Sequence, residues 1–184
     1  MAKLKKKEID PVRLIRRRVV PALFTSVSLV ILIYLLHIFS IGLEYRLGAS
    51  AVIFASFAAS AFVLFMTPHM KAANPKRFVK SYIIGALMGY LGFILIGIVG
   101  LYVAVFVVMS LLALLLVFLD AVHPPGAGIA FAFLLYRVGL AGIFVVILGV
   151  AIMLLVRYFL ERAVYTIEED FTKAEKVAAN RKRR

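Results

Sequence analysis

The sequence predicts an all-α protein: a polytopic transmembrane helical bundle of about six hydrophobic segments, with both termini in the cytoplasm. The 184 residues are 64% hydrophobic, with a mean hydropathy of +1.04, whereas soluble domains are about 45–50% apolar. Formal charge is absent from residues 19–43 and 47–66, and between 81 and 156 only Asp120 and Arg137 are charged. Charge-free runs of about 18 or more residues are typical of transmembrane helices.

The net charge of +13 predicts a topology rather than a nucleic-acid partner. Most of the Lys and Arg residues lie in three segments, 1–18, 67–80 and 157–184. Basic residues concentrate on the cytoplasmic side of membrane proteins, where they also meet anionic headgroups. We therefore expect these segments to face the cytosol, with the lipid bilayer as a partner and no nucleic acid.

Three regions are expected along the chain. Residues 1–18 form a basic cytosolic arm, residues 19–160 the transmembrane helical domain, and residues 161–184 a charged cytosolic tail. The first apolar stretch is longer than the core of a cleaved signal peptide, which is about 7–15 residues, so we interpret it as a retained anchor. The expected location is the plasma (inner) membrane of a prokaryote, with multiple passes.

The individual spans follow from the charge-free runs. Cytosolic ends require an even number of crossings, so the short apolar stretch 124–137 is expected to cross as well. At about 1.5 Å per residue it covers roughly 21 Å of a core of roughly 30 Å, and a re-entrant segment is the open alternative. The other expected spans are about 19–41, 47–66, 81–99, 102–121 and 139–159.

Small residues give the third expected span a face for close helix packing. Gly85, Gly89 and Gly92 recur at helical spacing on it, and small residues let helix backbones approach closely in lipid. This pattern suits packing within one chain and association into a homo-oligomer equally well.

Two Pro/His motifs interrupt the helices, FMTPH at 65–69 and DAVHPP at 120–125. The residue before a proline is pushed out of the helical region, while proline is tolerated in a first helical turn. We therefore expect one helix to end near Ala121 and another to begin near Pro125. The topology places the two interrupted loops on the same, cytosolic face.

The second motif predicts a site for a small anion. A helix N-terminus exposes backbone N–H groups and a positive dipole end, glycine lets a ligand approach the backbone, and histidine donates to an anion or carries a proton. Asp120 precedes the histidine by three residues and either orients its ring, binds a coupling proton, or pairs with Lys80 or Arg77. The predicted substrate-binding residues are His123, Pro124, Pro125, Gly126, Gly128 and Asp120.

The loop after the second span supplies accessory candidates that guide anions inward, namely His69, Asn74, Lys76 and Arg77. A positive-inside loop explains its basic residues equally well. Three scattered histidines and no cysteine offer no spacing for metal ligands, and no serine–histidine or paired-carboxylate pattern supports catalysis. We expect no cofactor, no metal and no enzymatic activity.

These motifs together resemble the HPP family of small integral membrane proteins, over about residues 56–160. The segment SFAASAFVLF at 56–65 is similar to the family's Ser-Phe-Gly-Ala-Ser-Ala-Val, and ANPK at 73–76 is similar to its Ala-Gln-Pro-Arg loop. The name motif stands at 123–126. The chain departs from the family at 127–129, Ala-Gly-Ile, where Ala-Thr usually follows the motif, and at 80–82, where Gly-Gly-His is often found.

The resemblance implies transport of a small inorganic anion, nitrite, because members from photosynthetic organisms are associated with nitrite uptake. It also implies a core of four spans, which makes the first helix and the short stretch at 124–137 additions. The alternative is a non-transporting membrane scaffold or sensor subunit in which the HPP motif is structural. A polar cavity reaching His123 would favour transport, and a closely packed ring would favour the alternative.

Overall fold

The computed structural model describes residues 19–42 and 47–182, and this part of the chain is helical throughout apart from short connections. The all-α prediction is confirmed. The basic arm of residues 1–18 and the polar turn at 44–46 lie outside the described residues, and the cytoplasmic placement of the termini stays a prediction. The six described α-helices are α1 Val20–Gly42, α2 Leu47–Ala61, α3 Pro75–Val99, α4 Leu101–Phe118, α5 Pro124–Tyr136 and α6 Ala141–Lys182.

Three stretches of the described helices are long and apolar enough to cross a membrane: Pro75–Val99, Leu101–Phe118 and Ala141–Arg162. The outer face of α4 illustrates why lipid suits them, since Tyr102 is 88% and Phe118 81% exposed. Large apolar surfaces of this kind are rare on soluble monomers. Shorter apolar helical stretches are Val20–Tyr34, Ala51–Met66 and Pro124–Tyr136.

The first interruption is shorter than predicted, because α3 begins six residues earlier than the expected start at 81. Helix α2 passes into a π-helical turn, Phe62–Met66, and a 3-10 turn follows at Lys71–Ala73. The Asn74 side chain then accepts a hydrogen bond from the Lys76 N–H at 2.9 Å, and Pro75 occupies the first helical turn. Both features favour a helix start, so the expected loop of 67–80 is reduced to 67–74.

The second interruption lies where the sequence predicted it. Helix α4 ends at Phe118, and α5 starts at Pro124. His123 is extended, with φ −141° and ψ 99°, as expected for a residue that precedes proline. Asp120 has a φ of 47°, the left-handed conformation that aspartate tolerates better than most residues. The short fifth segment is therefore a separate helix.

Helix α5 lies at the centre of the bundle and packs against α2, α3 and α4, most extensively against α3. Its Ile129 and Phe133 belong to one hydrophobic core, shared with α2, α3 and α6. Its Ala130 and Leu134 belong to a second core, shared with α3 and α4. A helix of 13 residues therefore connects the two halves of the interior.

Glycines allow α3 and α5 to approach closely. A methyl group on Gly89 would lie 2.7 Å from Cβ of Phe133 and 2.9 Å from Cα of Ala130, well inside the carbon–carbon optimum of about 3.5–4.0 Å. A methyl group on Gly85 would overlap the carbonyl oxygen of Gly126. The predicted close-packing face of the third span thus packs against α5.

Helix α6 forms the other flank of the bundle. It packs against α1 and α3 and continues without a break into the charged tail predicted for residues 161–184, as far as Lys182. It also contacts the loop 67–74, because Arg157 donates from a guanidinium N–H to the carbonyl of Ala73 at 2.7 Å.

Candidate functional site

His123 occupies the interior of the bundle at the start of α5, with 0% of its surface exposed. Pro124, which follows directly, holds the His123 backbone extended, and the His123 carbonyl faces α3. That carbonyl accepts the hydroxyl of Ser81 at 2.9 Å and the N–H of Gly126 at 2.9 Å. The backbone at the break is thus satisfied within the protein, as a buried carbonyl requires.

Both nitrogens of the His123 ring have protein partners. Nδ1 lies 2.7 Å from the carbonyl oxygen of Ala72, and Nε2 lies 2.8 Å from Oγ of Ser60. A carbonyl oxygen only accepts, so Nδ1 must carry a hydrogen. In the neutral ring Nε2 is then an acceptor, and the Ser60 hydroxyl donates to it.

Tyr82 extends this arrangement into a chain of hydrogen bonds. Its hydroxyl lies 2.7 Å from Oγ of Ser60, and both side chains are fully buried. Because Ser60 gives its single hydrogen to the neutral ring, Tyr82 donates to Ser60. The chain runs from α3 through α2 and His123 to the 3-10 turn. We name the Tyr82, Ser60 and His123 side chains, together with the Ala72 carbonyl, the polar chain.

Aromatic rings enclose the polar chain. The ring of Phe78 meets that of His123 edge-on, with centroids 5.3 Å apart and an interplanar angle of 81°, while Tyr82 lies 5.9 Å from it. Phe57 and Phe78 both pack against Tyr82 at 4.7 Å.

His123 lies in the connection between α4 and α5, and burial lowers its pKa, an effect that the bond to the Ala72 carbonyl partly offsets. The ring is therefore neutral near pH 7.

The predicted anion cradle at the N-terminus of α5 is closed in this conformation. Pro124 and Pro125 carry no N–H, and the N–H of Gly126 is bonded to the His123 carbonyl. The space beside Gly126 is occupied by Ser81, whose Cβ would lie 2.9 Å from an added methyl, and the space beside Gly128 by the Ser56 hydroxyl. These two glycines make room for neighbouring helices here, and their substrate-binding role stays a prediction.

Asp120 takes the alternative role that the sequence left open. Its carboxylate accepts from Arg77 at 2.5 Å and is 75% exposed, whereas the two ring nitrogens of His123 are occupied by other groups. Lys80 Nζ donates to the carbonyl of Leu119 at 3.2 Å. The expectation that Asp120 orients the histidine is therefore wrong for this structure, because the arginine of α3 holds it at the surface.

The remaining candidates lie at the same end of the bundle as His123. His69 and Lys76 are exposed, Asn74 caps α3, and Arg77 reaches Asp120. Contacts of residues 67–80 with the second interruption, Ala72 with His123 and Arg77 with Asp120, confirm that the two loops lie on the same side of the bundle. Within the described residues, no three His, Asp or Glu side chains gather into a group that could hold a metal.

Sequence reasoning missed Ser60, Tyr82 and Ser81, which supply the hydroxyl contacts at the break. All three belong to stretches that were noticed for other reasons: Ser60 to the segment at 56–65 that is similar to the HPP family, and Ser81 and Tyr82 to the segment at 80–82 that departs from its pattern. A buried histidine needs partners, and hydroxyls on neighbouring helices were the available signal.

The chain is similar to a known family of membrane proteins. A sequence model described as the HPP transmembrane region matches residues 13–168. The chain belongs to the HPP family. No curated protein and no solved structure matches it. Membership in this family, together with the long apolar helices, makes the chain an integral membrane protein.

Proposed function

We propose that this HPP protein transports a small inorganic anion across the plasma membrane of a prokaryote, without catalysing a chemical change. Nitrite is the proposed substrate, on the strength of the family resemblance. The observation that carries the proposal is the polar chain, which places an ionisable side chain inside a bundle that is otherwise almost entirely apolar. Ionisable groups in such positions are expensive and mark ion or proton pathways.

Charge at this end of the bundle supports an anion rather than a cation. Lys71 and Lys76 are exposed beside the 3-10 turn, and Arg77 and Lys80 border the break. Asp120 offsets one of these positive charges through its ion pair. The remaining positive field raises the local concentration of anions in front of the buried histidine.

The Ala72 carbonyl marks where an anion would bind. It accepts the Nδ1 hydrogen of His123 at 2.7 Å, and an anion that displaced it would receive the same hydrogen bond. Access requires movement of the loop 67–74, because that loop covers the ring. Transport in this scheme alternates between a closed state, in which the Ala72 carbonyl accepts the Nδ1 hydrogen of His123, and an open state, in which the anion accepts it.

The rival function is a scaffold or sensor subunit in which the HPP motif is structural. The complete burial of His123 and the two protein partners of its ring favour this reading. The two functions differ in one respect that can be measured, namely whether a still-folded protein without the histidine loses an activity or only stability.

Nitrite uptake into proteoliposomes tests the proposal. The wild type is compared with His123→Gln, which keeps hydrogen-bonding groups but cannot carry the charge, and with the matched control His37→Gln on α1, which no proposed step uses. Saturable uptake should be present in the wild type and control and lost in His123→Gln, with chloride and nitrate added as competitors. Circular dichroism and size-exclusion profiles establish that all three proteins are folded. Uptake no faster than in empty liposomes would rule out nitrite transport and favour the scaffold function.

A further inference from the structure

The polar chain has different partners at the two ring nitrogens of His123, and this difference identifies where a proton can be added. Nδ1 faces a carbonyl oxygen, which accepts in every protonation state. Nε2 faces the hydroxyl of Ser60, which can either donate or accept. The nitrogen that can gain a proton without losing its partner is therefore Nε2.

The chain can reverse its direction when that proton arrives. In the neutral state Tyr82 donates to Ser60, which donates to Nε2. In the protonated state Nε2 donates to Oγ of Ser60, and the Ser60 hydroxyl turns toward the oxygen of Tyr82. His123 keeps both hydrogen bonds, because the two hydroxyls rotate while the heavy atoms stay in place. The Tyr82 hydroxyl becomes an acceptor from Ser60 and gives up the bond that it donated.

A positive charge on this ring has no negative partner in the described surroundings. Tyr82 of α3 is neutral in both states, and Asp120 is held by Arg77 at the surface. On α6, Arg157 binds the carbonyl of Ala73, and the exposed carboxylate of Glu161 is paired with that arginine. Lys71 adds a further positive charge on the turn itself. A buried charge without a partner of opposite sign is strongly unfavourable, so the protonated ring needs an anion beside it.

We propose that a proton is the coupling ion, that it binds at Nε2 of His123 together with the transported anion, and that Ser60 and Tyr82 are positioning residues which hold Nε2 ready to accept it. This inference rests on the proposed function. The proton comes from water on the side of entry and returns to water on the side of exit, with no covalent change in the anion. The cycle moves one proton with one monovalent anion and is electroneutral.

Proteoliposomes that enclose a pH-sensitive dye measure both ions at once. For the wild type we expect nitrite uptake to be driven by an acidic exterior, accompanied by acidification of the interior in equal amount, after subtraction of the signal from empty liposomes. Above the pKa of the ring the protonated fraction falls about tenfold per pH unit, and uptake should fall with it. A membrane potential should have little effect on the rate.

The role of Ser60 is tested against a matched serine. Ser60→Ala removes the hydroxyl that faces Nε2, whereas Ser28→Ala removes an equally buried hydroxyl that bonds within α1, to the Thr25 carbonyl. We expect Ser60→Ala to shift the pH profile of uptake and Ser28→Ala to leave it unchanged. Equal profiles in both variants and the wild type would show that Ser60 serves packing alone.

A spectroscopic measurement keeps the inference testable without transport. In protein labelled with ¹⁵N at histidine, the His123 signals, assigned by their loss in His123→Gln, should change from the neutral Nδ1–H tautomer to imidazolium when nitrite is added at pH 6.5. Nitrite uptake with no accompanying protons would overturn proton coupling and leave the proposed function intact. Absence of uptake would overturn the proposed function, and the nitrogen signals alone would then decide whether nitrite and a proton bind together at His123.

Discussion

Replacement of Gly89 by alanine tests how tightly the central helix is held. The added methyl would lie 2.7 Å from Cβ of Phe133 and 2.9 Å from Cα of Ala130, so α3 and α5 must separate by about 1 Å to restore a carbon contact of about 3.5–4.0 Å. Overpacking of this kind costs about 1–3 kcal/mol. The gain from replacing glycine in a helix, about 0.5–1 kcal/mol, offsets part of that cost.

Gly97 on the same helix is the matched control, because an added methyl there meets no atom within 4 Å. Gly97→Ala should therefore show only the helix gain, and the two variants should differ in stability by about 2 kcal/mol. On the scale of soluble domains of this size that difference is about 4–8 °C in Tm, measured by thermal unfolding in detergent. If Gly89→Ala were as stable as Gly97→Ala, the close approach of α3 and α5 would be refuted.

Three other predictions concern the break between α4 and α5. Tyr82→Phe keeps the ring packing but removes one hydrogen bond, so we expect unfolding in detergent to show a loss of about 0.5–1.5 kcal/mol; an unchanged stability would mean that the bond to Ser60 contributes nothing. Asp120→Ala should be less stable than Asp120→Asn, because asparagine tolerates a φ of 47° and still accepts a hydrogen bond from Arg77; equal Tm values would contradict this. Because burial lowers the pKa of His123 below its ordinary 6.5, the unfolded chain binds the proton more tightly. Above pH 6.5 the free energy of unfolding should not depend on this proton, and below pH 6.5 it should fall as the pH is lowered. If the Tm of His123→Gln fell by the same amount, titration of His123 would not be the cause.

The second interruption could be predicted from the sequence because its cause is local. Proline restricts the residue before it and lacks an N–H, so the motif His-Pro-Pro must end one helix and can begin another. The observed ends at Phe118 and Pro124 lie within three residues of the expected ones. The same reasoning placed the first interruption but overestimated its length, because the capping side chain of Asn74 was interpreted as part of a loop.

The predicted anion cradle, whose role in binding stays a prediction, offers fewer free N–H groups than an ordinary helix N-terminus. A helix N-terminus binds anions through free N–H groups, and two consecutive prolines remove two of them. The sequence contained that information. The fate of the third N–H depended on the fold, since only the geometry of the turn directs Gly126 to the carbonyl of His123.

The hydroxyl partners of His123 could not be predicted in the same way. Ser60 lies 63 residues before it and Ala72 lies 51 residues before it, and such distant pairs are set by helix packing rather than by local pattern. The glycines of α3 help to explain how these distant groups meet, because they let α5 approach until the His123 ring lies between α2 and the 3-10 turn. A periodicity of small residues predicts close packing, but not which polar side chains it brings together.

The break also changes how the basic residues of α3 are understood. Arg77, Lys80 and Ser81 stand at helical spacing i, i+3 and i+4, which places them on one face, and each bonds to a different part of the break: the Asp120 carboxylate, the Leu119 carbonyl and the His123 carbonyl. Backbone groups that are freed by a broken helix and shielded from water must find partners within the protein. Arg77 and Lys80 are therefore explained first by the break, which leaves the exposed Lys71 and Lys76 as the stronger candidates for attracting an anion. A transporter of this design would keep its break stable with one set of cations and concentrate its substrate with another.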